Sequence, residues 1–247
     1  MTLPLFLVDP ARLTGVRVGS SVLLDGPEGR HAATVRRIGP GESVLLSDGL
    51  GTRVTASVAS AGKVELDLVV TAVEEDPEPA LRFVLVQALA KADRDDQAIE
   101  SATELGVDEV VPWQASRSVV VWRGERGAKA LRKWESVVTA AAKQSRRSRV
   151  PLVTQPVGQR ELVERIRNSA LALVLHEDAT SPLAGHGIPA AGDVLVVVGP
   201  EGGITPDELA AFEAAGAQAV RLGPSVLRSS SAGPAALAVL SAAGRWR

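Results

Sequence analysis

The rhythm of apolar and polar positions changes near residue 79. Before it, apolar runs are short and are broken every few residues by turn formers. Segments 22–24, 43–46, 53–58 and 64–68 are predicted strands. Asp25-Gly26-Pro27, Gly39-Pro40-Gly41, Asp48-Gly49 and Ala61-Gly62 separate them. Short strands with regular Gly/Pro punctuation predict a small β-barrel. The stretch 31–38 fits a short helix or a strand. Segment 74–79, acidic and carrying two prolines, reads as a linker. The expected division is a barrel over 1–73 and a second domain over 80–247.

The second region alternates strand-like and helix-like patterns. Segments 83–88, 107–113, 171–175, 194–198 and 219–222 are predicted strands. A helix follows the first, with Asp95 as its N-cap and Gly106 as its stop. Over 128–145, Leu131, Trp134, Val138 and Ala141/Ala142 recur at helical spacing. After Gly203, Thr205 caps a helix, Pro206 opens its first turn, Glu208 completes a capping box and Gly216 ends it. A small-residue helix over 232–243 closes the chain and predicts close packing. Alternating strands and helices imply α/β architecture, a parallel sheet covered on both faces.

Composition narrows the function classes. The chain has 247 residues, 45% hydrophobic and 23% charged, as in an ordinary globular protein. No apolar run approaches the roughly 18 residues of a membrane span, and the N-terminus lacks the basic region of a signal peptide. A cytoplasmic protein with no membrane partner is expected. With no cysteine, disulfides, thiolate metal sites and a cysteine nucleophile are excluded. His31, His176 and His186 are too scattered for a metal site. Net charge is −2, but residues 117–149 carry ten Lys/Arg against two acids. Their densest cluster, Arg146-Arg147-Ser148-Arg149, suits phosphate contact or a solvated helix face.

Three predicted strands end in loops that carry candidate chemistry. The strand over 194–198 runs into Gly199-Pro200-Glu201-Gly202-Gly203, then into the capped helix. Ligands in parallel sheets bind at the carboxyl ends of strands, and glycines let backbone approach them. A tight turn with nothing bound fits this loop equally well. Arg221-Leu222-Gly223-Pro224 leads into Ser225-Val226-Leu227-Arg228. His176-Glu177-Asp178 follows Leu175. The loops lack the spacing of a Walker or GxGxxG phosphate motif.

These residues carry a resemblance. The run VVVGPEGGITPDEL, with AGAQAVRLGPSVLRSSSA after it, resembles the C-terminal signature of SPOUT methyltransferases. It is most similar to the ribosomal RNA small-subunit methyltransferase E family, which methylates N3 of a uridine in 16S rRNA. HAATVRRIGPGESVLLSDGLG resembles that family's PUA-like barrel. KADRDDQAIESATELGVDEVVPW and AAAKQSRRSRVP resemble its central segments. The resemblance implies a trefoil-knotted sheet, an exception to the rule that chains avoid knots. It also implies a homodimer, S-adenosylmethionine as methyl donor, and no metal.

On that resemblance the donor-binding residues are Leu175, His176, Val198, Gly199, Pro200, Glu201, Gly202, Gly203, Leu222, Gly223, Val226 and Leu227. Neutral uridine N3 holds a proton and is a poor nucleophile. Arg228 is the candidate to stabilise the ring anion, with a phosphate contact or a structural hydrogen bond as its other role; Glu201 is the nearest candidate proton acceptor or an organiser of its turn. Arg30, His31, Arg36, Arg37, Arg146, Arg147 and Arg149 are candidate RNA contacts. The family usually carries Thr-Glu-Thr where this chain has Ser229-Ser230-Ser231, so no carboxylate stands at 230. That departure leaves open another SPOUT enzyme acting on tRNA or on a ribose hydroxyl. A non-catalytic RNA-binding protein on the same fold is the reading from another class.

Overall fold

A computed structural model describes residues 2–91 and 93–246. The chain forms two compact units. One comprises the chain up to Glu78 together with Ala142–Val150; the other comprises Pro79–Ala141 and the chain from Pro151 onward.

In the first unit, β1 (Leu5–Leu7), β2 (Ser21–Leu24), β3 (Ser43–Ser47), β4 (Thr52–Ala61) and β5 (Leu66–Glu75) form one sheet in the order β1-β3-β4-β5-β2. β1 runs parallel to β3, and the other pairings are antiparallel. Alternate residues enter the core: Val54, Ala56 and Val58 from β4, and Leu66, Leu68 and Val70 from β5. That period-2 pattern gives the sheet one buried face; the Gly/Pro turns between the strands are what made them legible. β1 was not expected, being three residues long. The ambiguous stretch after β2 is helical. α1 (Gly26–Arg30), with Pro27 in its first turn, continues into a π turn over His31–Val35 that buries Ala32.

The sequence division placed 142–150 in the second domain; the structure groups these residues with the first unit. The reason is a set of long-range hydrogen bonds. Ser47 Oγ donates to Ser148 O (2.8 Å), and Ser148 Oγ donates to Asp76 (2.6 Å). Val150 N donates to Gly49 O (2.9 Å). Sequence periodicity carries no signal for such bonds between distant segments.

The second unit holds β6 (Leu81–Ala88), α2 (Arg94–Glu104), β7 (Glu109–Trp113), α3 (Gly124–Gln144, its last turn belonging to the first unit), β8 (Leu152–Val153), α4 (Gln159–Asn168), β9 (Leu171–Leu175), β10 (Gly192–Val198), α5 (Pro206–Ala214), β11 (Gln218–Val220) and α6 (Ser229–Ala243). Its six strands are all parallel, in the order β11-β9-β10-β6-β7-β8. Val84, Val86 and Ala88 of β6 pack with Leu162 and Ile166 of α4 and Phe212 of α5. Trp113 meets Phe212 edge-to-face at 5.4 Å. β8 and α4 were not anticipated.

The α5 caps match the expectation: Thr205 Oγ1 accepts from Glu208 N, and Glu208 Oε2 accepts from Thr205 N. The α2 cap does not. Asp93 is the N-cap residue, and Asp95 lies in the first turn with its side chain buried. α6 starts at Ser229 rather than at 232 and packs against α2 and across β6 and β10. A Cβ on Gly233 would come within 2.8 Å of Leu85, which is why this helix needs small residues. The chain thus returns from the edge strand β11 to the middle of the sheet, the return that a trefoil-knotted sheet requires.

Candidate functional site

The carboxyl ends of β9, β10 and β11 lie side by side, because β9 pairs with both neighbours in parallel register. Their loops (175–178, 198–204 and 220–229) line one cavity of about 710 Å³, together with Arg94 and Arg117. That volume falls in the range of roughly 300–1,000 Å³ for small-molecule sites. All twelve residues expected to bind the donor, and Arg228, lie in its wall.

Local sequence explains the shape of the wall. A Cβ on Gly199 would come within 2.7 Å of Ile204 Cγ1, so the β10 loop can fold back on itself only with glycine there. Gly203 has φ +75°, which glycine adopts without the strain a Cβ brings. The capping box then fixes the start of α5 directly after the loop. Glu208 also reaches beyond its own helix, since its Oε1 accepts from Ser116 N (2.8 Å). Burial alone would push Glu208 up, but hydrogen bonds from Ser116 and Thr205 outweigh it and hold the carboxyl below its usual value.

Several polar side chains in the wall have defined partners. His176 Nδ1 accepts from Asp178 N (3.3 Å), which leaves the proton of the neutral ring on Nε2 as a donor. Glu201 Oε1 accepts from Lys91 N (3.3 Å) and pairs with Arg94 Nη1 (3.1 Å). It therefore ties the β10 loop to the β6–α2 connection; the organising role was expected, the partners were not. Arg228 is the exposed N-cap residue of α6, whose first turn has no acidic residue and no side-chain cap bond. Ser229 Oγ is buried without a protein partner in this wall, leaving a polar group for a ligand. Ser230, where the family usually has an acid, is buried in α6 and absent from the lining.

The candidate RNA contacts are not gathered there. Arg30, His31, Arg36 and Arg37 are exposed around the π turn of the first unit, with Arg37 in the left-handed region at φ 55°. Arg146, Arg147 and Arg149 are half-buried in the same unit. Arg146 Nε donates to Leu3 O (3.0 Å), and Arg149 donates twice to Asp76 O (3.1 and 2.6 Å). Arg94 and Arg117, which do line the cavity, were missed. Arg117 opens the basic stretch over 117–149 but lies outside its dense cluster, and Arg94 stands among aspartates, so neither was singled out. Among the described residues no group of His, Asp and Glu could hold a metal ion.

Residues 77–241 match the model of an RNA methyltransferase domain, and 24–71 that of an RNA methyltransferase PUA domain. A relative named ribosomal RNA small subunit methyltransferase E, from Mycobacterium bovis, is 46% identical over 100% of this chain and 94% of its own length. This chain belongs to the ribosomal RNA small subunit methyltransferase E family. The Bacillus subtilis member is 28% identical, with 88% of each chain covered. The crystal structure of the Neisseria gonorrhoeae member, bound to S-adenosyl methionine, is 31% identical with a TM-score of 0.85 and 98% of each chain covered. A Legionella pneumophila methyltransferase in complex with the same cofactor is 29% identical, with a TM-score of 0.82 and 98% of each chain covered. The architecture is therefore the knotted SPOUT sheet with an N-terminal PUA-like domain.

Proposed function

We propose that this chain is an S-adenosylmethionine-dependent methyltransferase that modifies N3 of a specific uridine in 16S rRNA. The convergence of three strand-end loops on one cavity, with Arg228 in its wall, is the observation that carries this reading. Bound in that cavity, the donor supplies an electrophilic methyl group on a sulfonium. The fit rests on the wall itself: glycines where a side chain would fill the space, backbone groups of Leu175, Val198, Gly199, Leu222 and Leu227 at its surface, and the orphaned Ser229 Oγ.

The chain's residues then act in two ways. The loops hold donor and acceptor in line at near-attack distance, which lowers the barrier by fixing orientation. Arg228 sets a cation where O2 or O4 of the uracil ring gains negative charge as N3 loses its proton to solvent water. Glu201 faces the same cavity, but its Oε1 is already committed to Arg94 and Lys91 N; its part in this reading is to position the loop, with proton acceptance as the alternative. The exposed arginines around the π turn of the PUA-like unit supply sequence-independent phosphate contacts. Val226 and Leu227, 75% and 41% exposed beside the cavity, favour burial against a second copy in a homodimer. No helix among the described residues is long and apolar enough to cross a membrane. The proposed site of action is the cytoplasm, where the rRNA substrate is.

The test has two arms. Calorimetry with S-adenosylmethionine should show one site per chain; no binding at millimolar donor sinks the enzyme reading and leaves a non-catalytic RNA-binding protein. Mapping of methylated nucleotides in rRNA, with and without the gene, should show loss of one N3-methyluridine in the small subunit. Loss of a tRNA or ribose methylation instead would assign a different substrate.

A further inference from the structure

Four arginines line the cavity: Arg94, Arg117, Arg221 and Arg228. Three acids accompany them, Glu177, Asp178 and Glu201, and Glu201 is paired with Arg94. S-adenosylmethionine carries a sulfonium, an ammonium and one carboxylate, so the acids suit its cations and one guanidinium suffices for its carboxylate. The remaining guanidiniums are available for something anionic that approaches the same opening.

Two of the four are held in a specific way. Arg94 Nη1 lies 3.1 Å from Glu201 Oε1, and Arg117 Nη1 donates to Gly202 O at 3.0 Å. They come from different elements, the first turn of α2 and the β7–α3 connection, yet grip consecutive residues of the β10 loop. The β7–α3 connection is itself braced. Ser116 N donates to Glu208, Gln114 Nε2 donates to Val120 O (3.0 Å), and Gln114 Oε1 accepts from Trp122 N (3.3 Å). Each arginine thus uses one nitrogen as an anchor and keeps the rest of its fork for a ligand. An ion pair this exposed (47% for Arg94, 28% for Glu201) adds little stability. Anchored guanidinium forks match phosphate oxygens in a bidentate way and lose little freedom on binding.

We propose that Arg94 and Arg117 form a clamp for the RNA phosphodiester next to the methylated nucleotide, setting that nucleotide's base over the donor cavity. The inference rests on the rRNA methyltransferase reading above. Because both anchors lie on the β10 loop, the clamp is in place only when that loop is ordered, so donor and RNA sites share one structural element.

The test compares wild type, Arg94→Gln, Arg117→Gln, the double variant and Arg117→Lys. Calorimetry gives the Kd for S-adenosylmethionine. Transfer of labelled methyl to small-subunit rRNA, at several salt concentrations, gives KM and kcat. Each glutamine variant is expected to raise the RNA KM about tenfold, with the donor Kd changed less than about threefold. The slope of log KM against log salt should fall by about one for each arginine removed. Arg117→Lys should keep the salt slope and recover part of the KM, since it keeps the charge and loses the fork. A donor Kd that weakens in step with the RNA KM, at an unchanged salt slope, would show that the two arginines only brace the loop and would overturn the clamp. A wild type that binds donor yet transfers no methyl to rRNA would remove the underlying function first and the clamp with it.

Discussion

Two groups of arginines in this chain have opposite fates. Arg146, Arg147 and Arg149 are close in sequence and look like a phosphate-binding cluster, yet Arg146 and Arg149 direct their donors at main-chain carbonyls of their own unit. Arg94, Arg117, Arg221 and Arg228 are spread over more than half of the chain and share one cavity wall. Sequence density of charge reports where cations are made; only the fold reports where they converge. A buried carbonyl without a donor is costly, so a half-buried arginine is drawn first to the nearest orphaned backbone. An arginine anchored by one nitrogen at a cavity mouth stays available.

The largest effect expected from this contrast is at Arg228. Arg228→Ala should lower kcat on the order of 100-fold, as for loss of one preorganised charge-stabilising donor, with the donor Kd within a few-fold of wild type in calorimetry. Equal kcat would take Arg228 off the list of catalytic residues. Arg149→Ala should act on the other side of the comparison. It removes two hydrogen bonds to Asp76 O and should cost about 1–3 kcal/mol of stability, read by denaturant unfolding, while the salt slope of RNA binding stays unchanged. A lower slope with unchanged stability would make Arg149 an RNA contact after all.

Between these extremes stand the exposed arginines of the first unit. Arg36→Gln with Arg37→Gln should weaken RNA binding several-fold and lower the salt slope by about two, with donor affinity untouched. The smallest expected effect is at Asp95. Burial, reinforced by the charge of Asp96, pushes this carboxyl up to about 6. The folded chain therefore holds that proton more tightly than the unfolded chain. The group's contribution to stability is full below the unfolded value, near 4, and is lost as pH rises through about 6. Asp95→Asn should gain on wild type between pH 5 and pH 8, by about 2–4 °C in Tm. A pH-independent difference would mean that Asp95 is not titrating there.

Much of the fold was legible because turns and burial mark the chain locally. Gly/Pro turns delimited the short strands of the first unit; the continuous apolar runs of β6 and β10 marked buried strands of a parallel sheet. Caps told more locally still, as Thr205, Pro206, Glu208 and Gly216 delimit α5 where expected. Some misses had no such signal: the three-residue β1, the two-residue β8, and the start of α2, where several aspartates compete for the cap; α4 was missed although Leu162 and Ile166 stand at helical spacing.

The sequence by itself determined the α/β class, the three loops, and the glycines of the β10 loop, because each depends on neighbours in the chain. Tertiary structure alone decided that those loops share a cavity, that Ala142–Val150 completes the first unit, and that Glu201 ties down Arg94. Those facts depend on contacts between residues tens to a hundred positions apart. The free energy of such contacts comes from desolvation and hydrogen-bond satisfaction in the assembled fold, which leaves no periodic trace along the chain.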